Sequence, residues 1–219
     1  MQFFKYALVA FSFGSAIAMP ASQPEDRALN VGGVTTDLVA VKGLVGAVGG
    51  IKANVEAHLG VLEEILNGTV TAQVVPTLQT TLKSVRTEVL SIEAKVDSLL
   101  QGTVMPLAQA ELNVVLSLLN DVVDLVNGIE STIKDLLQNL PEDVQETIRS
   151  ELTYVLAILN PAIQPVLDLA LGLVGLQTGD IVDEINGLID TLNGLLDGLL
   201  DGLLDGLLDG LLGTAVKIL

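Results

Sequence analysis

The stretch Val75–Leu100, VPTLQTTLKSVRTEVLSIEAKVDSLL, decides the fold class. Its apolar residues recur at alternating spacings of three and four, which is typical of a helix that packs along one seam. Pro76 suits the first turn of a helix, where a missing backbone N–H costs nothing, and Gly102 marks the other end. The sequence therefore predicts a long helix with the seam Val75, Leu78, Leu82, Val85, Val89, Ile92, Val96 and Leu99.

The same pattern extends toward the N-terminus. From Thr35 to Leu66 apolar residues again recur every three or four positions, and Asn67-Gly68 is a typical helix end. Glycines weaken the first half of this stretch. They leave open whether it forms one helix or two with a joint at Gly49-Gly50.

Further helices are predicted downstream. Pro106 opens one that runs to Asn127-Gly128, and Ile129–Leu140 either continues it or forms a short helix of its own. Its seam, which Val114, Leu118 and Leu125 widen, indicates contact with more than one neighbour. The seam residues are Ala108, Leu112, Val115, Leu119, Val122 and Val126.

The helix that starts at Pro141 is expected to break at Asn160-Pro161. Ala162–Leu176 beyond it is apolar on nearly every side, so it is either enclosed by other helices or lies on apolar material. No alternating strand pattern persists anywhere. We therefore predict an all-α fold, an antiparallel bundle of five to seven helices over residues 35–179, joined by short Gly, Pro and Asn turns.

Residues 180–219 differ from this pattern, because Asn193–Leu212 reads NGLLDGLLDGLLDGLLDGLL. Four residues of α-helix advance by about 400°, so each Leu pair lies about 40° further round. A single straight neighbour cannot cover such a stripe; either several neighbours share it or part stays exposed. We predict a long amphipathic helix that is ordered by contact, and the leucines expected to bind a surface are Leu195, Leu196, Leu199, Leu200, Leu203, Leu204, Leu207, Leu208, Leu211 and Leu212.

Two other interpretations of the repeat remain. Slippage during replication lengthens low-complexity segments without adding a function. Alternatively, the glycine at every fourth position forms a ridge of small residues that lets a second helix approach closely, so self-association through the repeat is a further expectation.

The N-terminus has the features of a secretory signal at residues 1–18. Lys5 precedes an apolar run, and Ala16-Ile17-Ala18 matches the cleavage pattern, so the mature chain is expected to start at Met19. Residues 19–34 form a polar lead-in that we expect to be disordered. The chain has no cysteine, so a secreted form must be held together by packing rather than by disulfides.

The charge is strongly acidic, with 27 Asp and Glu against 10 Lys and Arg and a net charge of −17. Such a surface repels nucleic acid and anionic lipid. No transmembrane anchor is expected after the signal, because the charge-free run Leu152–Leu167 is short and contains Pro161 and Pro165.

Catalytic chemistry is not indicated. His58 is the only histidine, there is no thiol, and no G-x-S-x-G motif is present. The regular aspartates lie one helical turn apart, whereas calcium sites need a loop that folds around the ion. We expect no enzyme activity, no cofactor and no metal. Asn67-Gly68-Thr69 is an N-glycosylation sequon, so Asn67 is the predicted glycan site.

The Phe/Ala-rich signal, the cysteine-free and aromatic-poor helical body and the heptads of Val75–Leu99 resemble fungal secreted cell-surface proteins. The resemblance is to the hydrophobic surface-binding and cell-wall galactomannoprotein type. It implies a helix bundle in the cell wall or the medium that binds hydrophobic surfaces, lipids or cell-wall components. The expected function is a non-enzymatic surface protein that coats hydrophobic material. The alternatives are a secreted carrier of fatty acids or other apolar ligands and a secreted factor acting on a host in virulence or immune evasion.

Overall fold

The computed structural model describes residues 32–68, 70, 72–100, 106–204 and 207. The described chain is all-helical, and no strand occurs in it. Turns of 3-10 helix at Ala72–Val74 and Gln109–Glu111 precede the second and third helices, and a π-helical segment, Leu199–Leu204, follows the fifth. The five helices are α1 (Gly32–Asn67), α2 (Val75–Leu100), α3 (Asn113–Asn139), α4 (Glu142–Val174) and α5 (Asp180–Gly198). The predicted signal at 1–18 and most of the lead-in lie outside the described residues.

Helix α1 is continuous through Gly49-Gly50, so the single-helix alternative is the one that forms. It begins at Gly32, slightly before the predicted boundary at residue 35. Each glycine costs about 1 kcal/mol relative to alanine in a helix, but an uninterrupted row of aliphatic side chains outweighs that cost. The buried row is Val41, Leu44, Val48, Ile51, Val55, Leu59 and Leu62.

Helix α3 starts at Asn113, so the expectation that Pro106 opens it was wrong. Residues 106–108 are not helical, and Ala108 is exposed rather than part of the seam. At its other end α3 continues through Gly128 to Asn139. A Cβ at Gly128 would lie only 3.3 Å from Leu59 Cδ1, so this glycine allows α1 and α3 to approach closely.

Helix α4 runs through both Pro161 and Pro165, so the predicted break at Asn160-Pro161 was also wrong. A proline inside a helix costs about 3 kcal/mol or more. That cost is offset because burial continues on both sides of the prolines, while Pro161 itself stays exposed. The buried residues around them are Leu156, Leu159, Ala162, Ile163, Val166 and Leu167. The stretch Ala162–Leu176 is thus largely enclosed by its neighbours, although Leu171 and Leu176 remain exposed.

Contacts between the helices give the bundle its core. Helix α1 packs on α2 and α3, α2 packs on α4, and α3 packs on α4 and α5. Across α2 and α4, Gln79 meets the carbonyl of Thr147, and Lys83 meets Glu151, so these two helices run in the same direction. Every buried hydrophobic residue is Leu, Ile, Val or Ala. Thr81 and Thr132 are the only polar residues buried in the described chain.

Candidate functional site

The leucines predicted to bind a surface lie against the core wherever the structure describes their burial. Leu196 is 3% exposed, Leu199 2% and Leu207 4%, and Leu195 and Leu203 are partly buried against the same core. Of the remaining five leucines, Leu200 and Leu204 lie in the π-helical segment. The other three lie outside the described residues: Leu208, Leu211 and Leu212. Binding of an outside surface by these leucines stays a prediction, and it requires them to leave the core.

As far as Leu199 the leucines reach the core along an α-helical seam, because the buried residues Val182, Ile185, Ile189, Leu192, Leu196 and Leu199 are spaced three and four apart. Helix α5 packs mainly on α3, whereas the π-helical segment packs on α4, so two neighbours share the leucines. The i→i+5 hydrogen bonds of a π-helix fit more residues into each turn. Four residues then advance by less than one full turn instead of more than one, so the drift of the leucine stripe around the helix reverses in this segment. Sequence reasoning missed this because it assumed one α-helical period throughout.

The three glycines of the repeat that the structure describes face open space. A Cβ added at Gly194, Gly198 or Gly202 would meet nothing within 4 Å, and the intervening Asp197 is exposed. These glycines therefore do not serve close packing inside the described fold. From Gly194 to Gly202, the glycine ridge predicted from the sequence faces solvent in this conformation.

Lys52 on α1 joins two aspartates of α3. Its Nζ lies 2.6 Å from Asp124 Oδ2 and 3.2 Å from Asp121 Oδ1. The hydrogen bond to Asp124 raises the pKa of Lys52; burial opposes the rise, and Asp121 adds to it. An ammonium held in this way stays protonated at neutral pH, so it is unsuited to act as a base or nucleophile. The cluster is therefore a polar link between α1 and α3.

His58, the one histidine, lies beside a shallow depression between α1 and α2. The depression has a volume of about 280 Å³ and is also lined by Thr80, Lys83, Ser84, Thr87 and Glu88. The hydroxyls of Thr80, Ser84 and Thr87 donate to carbonyl oxygens of their own helix. None of these groups is placed as a nucleophile paired with His58, and the depression has no enclosed aliphatic lining of the kind a fatty-acid carrier needs.

A second depression of about 80 Å³ lies next to the first and shares Lys83 with it. There the guanidinium of Arg86 lies 5.0 Å from the centre of the Tyr154 ring, within the range of a cation–π contact. This contact joins α2 to α4 at the surface of the bundle. The depression is too small for a fatty acid, so in this conformation neither depression favours the carrier alternative.

Asn67 is the last residue of α1 and is exposed. The backbone N–H of Gly68 donates to the carbonyl of Ile65 at 3.2 Å, which turns the chain away from the helix. Thr69 of the sequon lies outside the described residues. The exposed position suits a glycan, and glycosylation of Asn67 stays a prediction.

Three helical stretches are long and apolar enough to cross a membrane by length and composition: Leu38–Asn67, Gln109–Asn139 and Glu142–Val174. The expectation of no transmembrane anchor therefore stays a prediction. Among the residues that the structure describes, no group of three or more His, Cys, Asp or Glu side chains is placed to hold a metal ion.

No family model, curated protein or solved structure matches the chain. The resemblance to fungal surface proteins accordingly rests on the character of the sequence alone.

Proposed function

We propose that the protein is a secreted, non-enzymatic cell-wall or cell-surface protein that binds hydrophobic material through the aliphatic faces of its helices. The observation that supports this most is the core. It consists of Leu, Ile, Val and Ala on long helices, and three helical stretches are apolar enough to enter a membrane. Such helices also suit an apolar surface, where each can lie flat with its aliphatic side inward.

The folded chain keeps those faces out of water. Burial of apolar area stabilises a protein by about 25 cal/mol per Å², and contact with an oil surface removes the same area from water. The exchange of helix–helix contact for helix–surface contact is therefore nearly balanced. Because the chain has no cysteine, no disulfide opposes the exchange.

The net negative charge of the protein determines which hydrophobic surface it can bind. With a net charge of −17, the protein is repelled by anionic lipid, and an uncharged oil or wax is the more favourable partner. The acidic residues then face water and keep the adsorbed protein dispersed.

Drop tensiometry on an alkane–water interface tests the proposal. We expect the protein at micromolar concentration to lower the interfacial tension while its helical circular dichroism is retained on alkane droplets. Absence of any fall in tension would refute the function. Tight binding to phosphatidylcholine vesicles with protection from protease would instead indicate membrane insertion.

Deletion of Gly194–Gly213 tests the contribution of the repeat. We expect the shortened protein to be retained less on a hydrophobic solid, because it has lost ten leucines of the surface-binding set. Unchanged retention would remove the repeat from the proposal and favour the slippage interpretation.

A further inference from the structure

The chain connection between α2 and α3 separates the five helices into two groups, and the packing between these groups is the most extensive in the described chain. Helices α1 and α2 form the first group, and α3, α4 and α5 form the second. Across the boundary between the groups α1 packs on α3 and α2 packs on α4. Only one chain connection, between α2 and α3, crosses it.

Hydrogen bonds to backbone carbonyl groups tie the second group together. The α3–α4 turn is held by the side-chain amide of Gln145, which donates to the carbonyls of Leu137 and Leu140. At the other end the N–H of Leu107 donates to the carbonyl of Leu173 at 2.8 Å, and Gln177 donates to the carbonyl of Leu107. The segment that leads into α3 is therefore fixed to the end of α4.

Side chains at the surface provide the polar contacts across the boundary. On one edge Lys52 meets Asp121 and Asp124. On the other edge Lys83 lies 3.9 Å from Glu151, Arg86 lies over Tyr154, and Gln79 donates to the carbonyl of Thr147. Water can replace each of these partners as the two groups separate, and the cost is largest for Lys52 and Glu151, whose side chains are only 19% and 14% exposed.

The interior of the boundary is aliphatic. The buried side chains of α1, α2, α3 and α4 are aliphatic except for Thr81 on α2 and Thr132 on α3. Separation at this boundary would uncover four aliphatic faces at once, without breaking the turns that hold α1 to α2 or α3 to α4. An uncharged oil surface can cover those faces as well as the helices cover each other.

We propose that the bundle opens between the α1–α2 pair and the α3–α5 group on an uncharged oil surface, and that the four inner faces are the surface that binds it. This inference rests on the proposed function and specifies its binding surface. In the closed form those faces are the core, and the leucines of α5 stay with the second group. The polar edges are the contacts that water replaces as the two groups separate.

A pair of cross-linked variants tests the boundary. The chain has no cysteine, so two introduced thiols react alone with a short bis-maleimide. The variant Lys52→Cys/Asp124→Cys joins the two groups at a pair of positions whose native side chains meet, with Lys52 Nζ 2.6 Å from Asp124 Oδ2. The matched variant Asn54→Cys/Glu88→Cys joins α1 to α2 within one group, at a contact of 3.3 Å. Circular dichroism and thermal unfolding establish that both are folded before and after linkage.

Adsorption to alkane droplets is then compared with and without the linker. We expect linkage across the boundary to abolish most of the adsorption and linkage within the α1–α2 pair to leave it unchanged. If both linked proteins adsorb normally, the opening boundary is wrong and the proposed function stands. If both lose adsorption, the protein unfolds more widely than proposed and the boundary is again wrong. If the unlinked protein does not adsorb at all, the proposed function fails together with the inference.

Discussion

Helix α2 and the leucine repeat both bury leucines, but their sequence periods differ. The seam of α2 alternates three and four residues, which matches an α-helix packed along a straight line. Its residues from Leu78 to Val96 are at most 1% exposed. The repeat has a period of four, which matches no single α-helical line, and the chain changes to π-helix at Leu199. Burial in the repeat nevertheless follows the same three-and-four spacing as α2 up to Leu199, and only the residues after it depend on a change of helix type.

A substitution in the seam of α2 should have the largest effect on the free energy of unfolding. Leu82 on α2 is 1% exposed, so Leu82→Ala should lower the free energy of unfolding by about 2–5 kcal/mol through lost contact and a residual cavity. Urea denaturation followed by circular dichroism measures it. Leu90→Ala is the control on the same helix, because Leu90 is 38% exposed and should change stability by about 0.5 kcal/mol or less. Equal effects at the two positions would contradict the described seam.

A substitution in the leucine repeat should have the next-largest effect on the free energy of unfolding. Leu199 is nearly as buried as Leu82, at 2% exposed against 1%, but it lies in a π-helical segment that contacts mainly α4 and α5. We expect Leu199→Ala to cost about 2 kcal/mol, the lower end of the range, because this segment has fewer neighbours and can collapse around the missing atoms. The same urea titration measures it. A loss as large as that of Leu82→Ala would show that both regions belong equally to the cooperative core.

Sequence-based prediction succeeded best where the apolar residues keep one helical period over a long stretch. The all-α class and the seam of α2 follow directly from spacing. Helix boundaries failed at Pro106, where backbone and side-chain contacts with the end of α4 hold the segment outside a helix, and at Pro161, where burial on both sides outweighs the proline. These outcomes depend on neighbours distant in sequence, which local propensity does not include. Leu196 and Leu199 continue the three-and-four spacing of the buried residues earlier in α5, whereas no residue in the repeat signals the π-helical segment that follows.

Two glycines of the second group of helices should respond in opposite directions to substitution by alanine, with smaller effects on stability. Gly194 faces open space, so Gly194→Ala should stabilise α5 by about 1 kcal/mol, the difference in helix propensity. Gly175 has a φ of +63°, and a Cβ there would lie 2.8 Å from Pro106 Cγ. Gly175→Ala should therefore destabilise by at least about 1 kcal/mol. Thermal unfolding of the two variants measures the opposite signs, and stabilisation by both would place Gly175 in a different backbone conformation.

The smallest effect concerns the polar link between α1 and α3. The pKa of Lys52 is raised above its ordinary value of 10.5, because the aspartates favour the charged ammonium. Its contribution to stability is therefore fully present below pH 10.5 and is lost as pH rises through the folded-state pKa. The stability difference between the parent protein and Lys52→Met should accordingly be constant near neutral pH and shrink in alkaline solution.

Lys134→Met is the control, because it removes an i,i+4 pair within α3 alone and should cost about 0.3–0.5 kcal/mol. Urea titrations across the pH range measure both variants. A difference for Lys52→Met that does not change above pH 10.5 would mean that the aspartates do not hold the ammonium. The polar edge between α1 and α3 would then contribute nothing to closing the bundle, and only the aliphatic faces would oppose its opening.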